Sequence, residues 1–372
     1  MKPSNSTPEP RAVNANATAA SAAANYRPVV VPSPLNPVEA AVQALNDVRI
    51  KHTRIGQMMR DLHTLTDPPS PDEMMLICGP TGVGKSTLAR YVVGEMMGAN
   101  AVQMNENAGL IPALYVNASA SGEHDFSWRL FFNRILEQLD GDTAMPKHNY
   151  GIDPRTGRLV RPMGPSSNSL AALRTSVERA LRERGTQHIV IDEAAHIIRQ
   201  AHRGKLEGHL DTLKSLANES GTQMVLIGSY DLYQLMSLSG QLARRTHVMH
   251  FDRYRVDKDE DVRAFRACVQ KFENALPALW GHKLTAHSDA LHQNTMGCIG
   301  TLSAVLKRAA RFMAAGDGWS ASCLQRGFLT DAQHKRILEE ILDGEEAINP
   351  GLTYTVAKRG TASRSDSKSK IA

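Results

Sequence analysis

The stretch Gly79-Pro80-Thr81-Gly82-Val83-Gly84-Lys85-Ser86 follows the apolar run Met74-Met75-Leu76-Ile77-Cys78 and opens the helical text that begins at Lys85. It fits the spacing GxxxxGK[ST] in full, in the strand-then-helix context that this spacing requires. Glycines let backbone N–H groups curl around an anion. The helix N-terminus adds the positive end of its dipole. The pattern predicts a phosphate-binding loop made by Gly79, Pro80, Thr81, Gly82, Val83, Gly84, Lys85, Ser86 and Thr87. Lys85 is expected to reach β- and γ-phosphates, and Ser86 to offer its hydroxyl to a metal ion.

A loop of this kind needs a second half. Ile189-Val190-Ile191-Asp192-Glu193 is an apolar strand ending in two acids. Asp192 is expected to hold Mg²⁺, directly or through water, and Glu193 to activate the attacking water as a general base. The expected cofactors are therefore ATP and Mg²⁺, with Ser86 and Asp192 at the metal. The text DEAAH has one alanine more than the helicase box DEAH, so His196 reads as an ordinary helix residue. The next strand, from Gln223 to Ile227, ends in Gly228-Ser229, and Ser229 is the candidate for orienting the water. Then comes Gly240-Gln241-Leu242-Ala243-Arg244-Arg245, immediately before another strand. Adjacent arginines there are hard to bury without an acceptor. One of Arg244 and Arg245, the choice being open, is expected to act as an arginine finger on a neighbouring subunit's γ-phosphate.

Outward from this centre, five short apolar strands alternate with helices: 74–78, 111–116, 188–191, 223–227 and 246–251. That alternation predicts an α/β fold with a parallel five-stranded sheet. One helical stretch is expected over 37–65, and helices over 85–97, 126–139, 169–184 and 206–218. Strand signals stop after Phe251, and helices at 257–274, 288–295, 299–315 and 331–342 predict a helical C-terminal unit. The domain reading is a disordered segment 1–35, a nucleotide-binding unit 36–252, a helical lid 253–345 and a disordered basic tail 346–372. Residues 141–168 interrupt the pattern with four prolines and read as an irregular insertion with a hairpin around Thr156-Gly157.

The residues 79–86, 188–193, Ser229, the paired arginines and the helical unit together resemble an AAA+ ATPase. Further text is more specific: Lys51-His52-Thr53-Arg54, Tyr115-Val116-Asn117-Ala118, IVIDEAAH, VLIGSYDL and GQLARR. Over about residues 40–315 the chain is similar to the TniB/TnsC family of transposition regulators, relatives of the phage Mu B protein. The resemblance implies an ATP-dependent protein that assembles on double-stranded DNA as a ring or filament without sequence preference. It also implies two protein partners, a transposase and a target-selector protein. One departure stands out. Many AAA+ lids carry an arginine in a GxxR turn, whereas this chain reads Gly297-Cys298-Ile299-Gly300. Lys307 or Arg308, about two turns further on, is the candidate substitute, the other possibility being a lid that does not sense the γ-phosphate.

Two other functions compete: a clamp-loader-like or chaperone-like ATPase remodelling a protein partner, and a scaffold that binds ATP with little hydrolysis. Glu193 argues against the scaffold. The small polar segment Asn117-Ala118-Ser119-Ala120-Ser121-Gly122 stands where protein unfoldases place an aromatic pore loop, and it suits phosphate contacts better than gripping a peptide.

The chain has 372 residues and a net charge of +5. Residues 353–372 hold Lys358, Arg359, Arg364, Lys368 and Lys370 against Asp366, a net +4, so the remainder carries only +1. Basicity is thus a property of the tail. Candidate DNA contacts are that tail and Arg155, Arg158 and Arg161 in the insertion. No apolar run reaches the ~20 residues of a membrane span, and no signal peptide is read. The four scattered cysteines form no CxxC pair, which points to a cytoplasmic protein with reduced thiols.

Overall fold

The structure, a computed structural model, describes residues 37–118, 120, 122, 125–139, 151–152, 159–160, 169–200, 206–237, 244–316 and 318–348. In chain order the elements are α1 (Pro37–Asp47), α2 (Thr53–Thr66), β1 (Met74–Cys78), α3 (Lys85–Ala99), α4 (Ala101–Glu106), β2 (Ala113–Asn117) and α5 (Trp128–Gln138). Next come β3 (Gly151–Ile152), β4 (Leu159–Val160), α6 (Leu170–Glu183), β5 (His188–Asp192), α7 (Ala195–Arg199), α8 (Leu206–Ser220), β6 (Gln223–Gly228), a 3₁₀ helix (Tyr230–Ser237) and β7 (Thr246–His250). The C-terminal region is helical: α9 (Asp259–Ala275), α10 (Pro277–Trp280), α11 (Ser288–Thr295), α12 (Ile299–Ala314), α13 (Ala321–Arg326) and α14 (Asp331–Ile348).

Five strands form one parallel sheet in the order β2-β5-β6-β1-β7. The central strands β5, β6 and β1 are buried along their whole length, and the edges β2 and β7 only in part. This is the burial of a sheet covered by helices on both faces. Alternate side chains serve the two faces. Met74, Leu76, Ile189, Ile191 and Leu226 join the core under α5, α6 and α8. Met75, Ile77, Val190, Val225 and Ile227 join the core under α2 and α3. Ser169 caps α6 by accepting from the Ala172 amide at 3.1 Å, one of the N–H groups a helix start leaves unpaired.

A third core belongs to the C-terminal helices, with Phe265, Trp280, Leu302, Leu306 and Leu324. It also takes in Leu45 and Ile50 from the start of the chain. Here the structure departs from the single helix expected over 37–65: the helix breaks at 48–52. In an extended link residues two apart point the same way, so Ile50 and His52 both turn inward and Lys51 outward. A continuous helix would rotate those two side chains ~200° apart.

The short antiparallel ladder of Gly151 with Val160 and Ile152 with Leu159 has the pairing of the expected hairpin. The connection 153–158, with Arg155 and Arg158, lies outside the described residues, as do Arg161, 1–36 and the tail from 349 onward. No described helix is long and apolar enough to cross a membrane.

Candidate nucleotide site

The loop Gly79–Ser86 leaves β1 and enters α3 as expected. Gly82 has φ +80° and Gly84 φ +116°, conformations that side chains strongly disfavour. The Lys85 ammonium is folded over this loop, donating to Gly79 O at 2.9 Å and Pro80 O at 2.8 Å. Burial pushes its pKa down, and the nearby Glu193 carboxylate opposes that most strongly.

Asp192 stands at the end of β5 and is 2% exposed. Its Oδ1 accepts the Glu193 amide at 2.9 Å, and its Oδ2 accepts the Tyr115 hydroxyl at 2.8 Å. Glu193 has φ +55°, a left-handed conformation costing a non-glycine residue roughly 1–2 kcal/mol. Such strain persists where a side chain must be aimed. The Glu193 side chain is 49% exposed, with His196 Nε2 at 4.0 Å from its carboxylate. His196, read as an ordinary helix residue, is thus a neighbour of the candidate base.

Ser229 follows β6 directly, where Gly228 pairs with Cys78 at the mouth of the loop. Its hydroxyl donates to Asp231 at 3.1 Å and accepts from Arg199 at 3.2 Å, and Arg199 also pairs with Asp231. Arg244 and Arg245 are elsewhere. They precede β7, whose first residue pairs with Met74, the residue of β1 farthest from the loop. At ~3.3 Å per residue that is about 13 Å of strand. Both are exposed, and among the described residues Arg245 approaches Asp72, at 4.0 Å. The structure brings Gly79–Thr87, Asp192, Glu193 and Ser229 to one end of the sheet and leaves both arginines at the other.

The helical region closes on the loop from two sides. Thr301, at the start of α12, donates its amide to Gly82 O at 3.0 Å. A Cβ on Gly300 would stand 2.6 Å from that same oxygen. The glycine found where many lids carry arginine is what admits this approach. Of the two candidate substitutes, Lys307 lines a cavity of about 250 Å³ with His52, Gly84, Thr87 and Phe272. Arg308 instead donates to Gly327 O at 2.9 Å. From the other side α14 lies across the loop. Glu340 accepts from the Thr81 hydroxyl at 2.9 Å, Gly344 packs on the Tyr230 ring, and Glu345 pairs with Arg253 at 2.7 Å. Tyr115, Thr301 and Glu340 were not among the site residues expected from the sequence. Tyr115 carried a faint signal, a polar-tipped aromatic on a strand expected beside the acidic one. Glu340 carried none.

The donor set fits a magnesium nucleotide. The loop offers N–H groups and an ammonium for phosphates, while Ser86 and Asp192 offer the hard oxygens that Mg²⁺ prefers. Asn117 Oδ1, on the strand residue paired with Asp192, is buried without a partner among the described residues.

Residues 69–236 match the family model of the AAA domain. No curated protein matches the chain. Among solved structures the chain is similar to the ORC1 protein of Aeropyrum pernix, solved in complex with DNA. That likeness has a TM-score of 0.54 and 17% identity, over 77% of this chain and 68% of that one. A Walker-type ATPase of Pyrococcus abyssi is similar at TM-score 0.44 and 13% identity, over 86% and 81% of the two chains. Domain III of the Thermotoga maritima replication initiation protein DnaA is similar at TM-score 0.38 and 12% identity, over 83% and 99%. At 17% identity the likeness to the ORC1 protein is one of fold. With the match over 69–236, the chain has the fold of an AAA P-loop NTPase, a parallel five-stranded sheet flanked by helices with a helical C-terminal region.

Proposed function

We propose that this protein is an ATP-hydrolysing, DNA-binding regulator of transposition that assembles on target DNA and recruits or activates a transposase. The observation that carries the reading is the split site. Lys85, Asp192 and Glu193 share one end of the sheet, while exposed Arg244 and Arg245 stand at the other, out of reach of their own chain's loop. A finger from either arginine serves only a second copy, so hydrolysis and assembly are one property. Bound Mg²⁺ supplies a counter-charge to the phosphates. Ser86 and Asp192 hold it, Lys85 exchanges the carbonyls of Gly79 and Pro80 for phosphate oxygens, Ser229 orients the water, and Glu193 takes the water's proton. The nucleotide-binding unit 36–252 and the lid 253–345 belong to the same proposal, supported by the core that the C-terminal helices form, a core that Leu45 and Ile50 also join. So does a cytoplasmic location, supported by free cysteines at Cys78, Cys268, Cys298 and Cys323. The transposition role and its partners, a transposase and a target-selector protein, rest on the resemblance to the TniB/TnsC family. Binding to DNA has added support from the likeness in fold to a protein solved on DNA.

The test is duplex binding by the full chain with an ATP analogue, with ADP and without nucleotide, on two unrelated sequences across a salt series. Expected are ATP-dependent binding, indifference to sequence, and a steep fall with salt as phosphate contacts release counterions. A parallel series on a chain ending at Thr353 separates the attraction of the basic tail. Equal binding in all nucleotide states overturns assembly on DNA. No duplex binding turns the reading toward the protein-remodelling ATPase.

A further inference from the structure

We propose that Tyr115 is the positioning residue of the magnesium site: its hydroxyl, 2.8 Å from Asp192 Oδ2, fixes the plane in which that carboxylate faces the metal. The inference rests on the nucleotide reading and adds to it a residue from the edge strand β2.

Asp192 sits on the last position of a fully buried strand and is itself 2% exposed, so its orientation depends on the protein groups around it. Among the described residues two donors hold it: the Glu193 backbone amide takes Oδ1, and the Tyr115 hydroxyl takes Oδ2. Each carboxylate oxygen keeps a further lone pair for metal or metal-bound water. Without the phenol the group rotates about its last torsion, which is broad for aspartate.

The tyrosine is itself held. Its ring is half-buried against the core under α2 and α3. The Arg90 guanidinium, from the helix that the phosphate loop opens, lies 5.7 Å from the ring centre. Residues two apart on a strand share a face. Tyr115 therefore lies on the same side as Asn117, whose buried Oδ1 is without a partner among the described residues. A strand at the sheet's edge thus sends two polar groups to the acidic end of β5. Phenylalanine at 115 would fill the same volume and lack only the donor.

The experiment is the Mg²⁺ dependence of nucleotide binding in Tyr115→Phe, read with a fluorescent ATP analogue and accompanied by thermal unfolding. Loss of a group that orients a metal ligand costs about 10–100-fold in metal affinity. The Mg²⁺ concentration for half-saturation should therefore rise about tenfold or more, with binding in EDTA and the melting midpoint unchanged. The rate of hydrolysis should return toward the parent value as Mg²⁺ is raised. A variant with the parent's Mg²⁺ dependence overturns the inference. So does one that loses its fold, which would assign the hydroxyl to stability. A parent chain whose nucleotide binding ignores Mg²⁺ overturns the magnesium site and this inference with it, whereas a parent chain that binds no nucleotide overturns the nucleotide reading itself.

Discussion

Gly300→Ala is a one-carbon change aimed at the contact between the helical region and the phosphate loop. The added Cβ would lie 2.6 Å from Gly82 O and 3.2 Å from Gly82 C. Both atoms are backbone of a loop held by its neighbours, so the helix must yield. Restoring ordinary contact near 3.4 Å needs a retreat of about 0.8 Å. That stretches the Thr301 amide to Gly82 bond, now 3.0 Å, past the range of a hydrogen bond. The lost bond costs ~0.5–1.5 kcal/mol, and forcing in the methyl costs about 1–3 kcal/mol. Alanine returns up to ~1 kcal/mol to α12 itself. The net, about 2 kcal/mol against the docked position, corresponds to ~30-fold in the opening equilibrium. Native-state amide exchange reads this directly: the Thr301 amide should exchange about 30-fold faster, with residues 79–84 following. The Leu302, Leu306 and Phe265 core should keep its protection, because it does not touch the loop. A Thr301 amide as protected as in the parent would refute the claim that glycine stands at 300 to admit this contact.

Lys85→Ala should abolish nucleotide binding, whereas Glu193→Gln should bind like the parent and lose turnover, since one acts on phosphate charge and the other on the attacking water; ATP affinity and hydrolysis measured for both decide it. Glu340→Gln keeps the shape of the Thr81 contact and removes a carboxylate beside the phosphate cradle. Because Glu340 is exposed, stability should move by less than about 1 kcal/mol, while nucleotide affinity rises about three- to tenfold in equilibrium titration. Ile341, 1% exposed between α14 and the core under α2 and α3, should cost about 2–5 kcal/mol as alanine in denaturant unfolding; a change below 1 kcal/mol would mean that α14 is not packed there. His52 is held at about 4 in the folded chain, by burial first and then by Lys271 and Arg54. The unfolded chain takes up that proton near 6.5, so stability present above pH 6.5 is lost as pH falls toward 4, by about 3 kcal/mol in all. His52→Gln should flatten the stability profile over that window.

The local half of the molecule was legible in its residues. β1, β5, β6 and β7 begin at the expected residues, and Ser86, Asp192 and Glu193 stand where their spacing puts them. Buried parallel strands announce themselves as apolar runs, and a glycine-rich loop must sit between its strand and its helix. The break at 48–52 was not legible, because apolar residues with helical spacing look alike whether they bury against one core or two. Ile50 joins the core of the C-terminal helices and His52 bonds to Tyr254 in the link before α9, and the helix breaks where they do so.

What the sequence by itself determined is the fold class and the chemistry offered at one end of the sheet, because strand periodicity and loop spacing act over a few residues. What only the tertiary structure decided is who meets that chemistry. Glu340 lies 259 residues beyond Thr81, and Tyr115 is 77 residues before Asp192. Their meeting depends on strand order and helix packing, which no local pattern encodes. The same holds for Gly300, whose missing side chain has a meaning only because Gly82 O stands where that side chain would be.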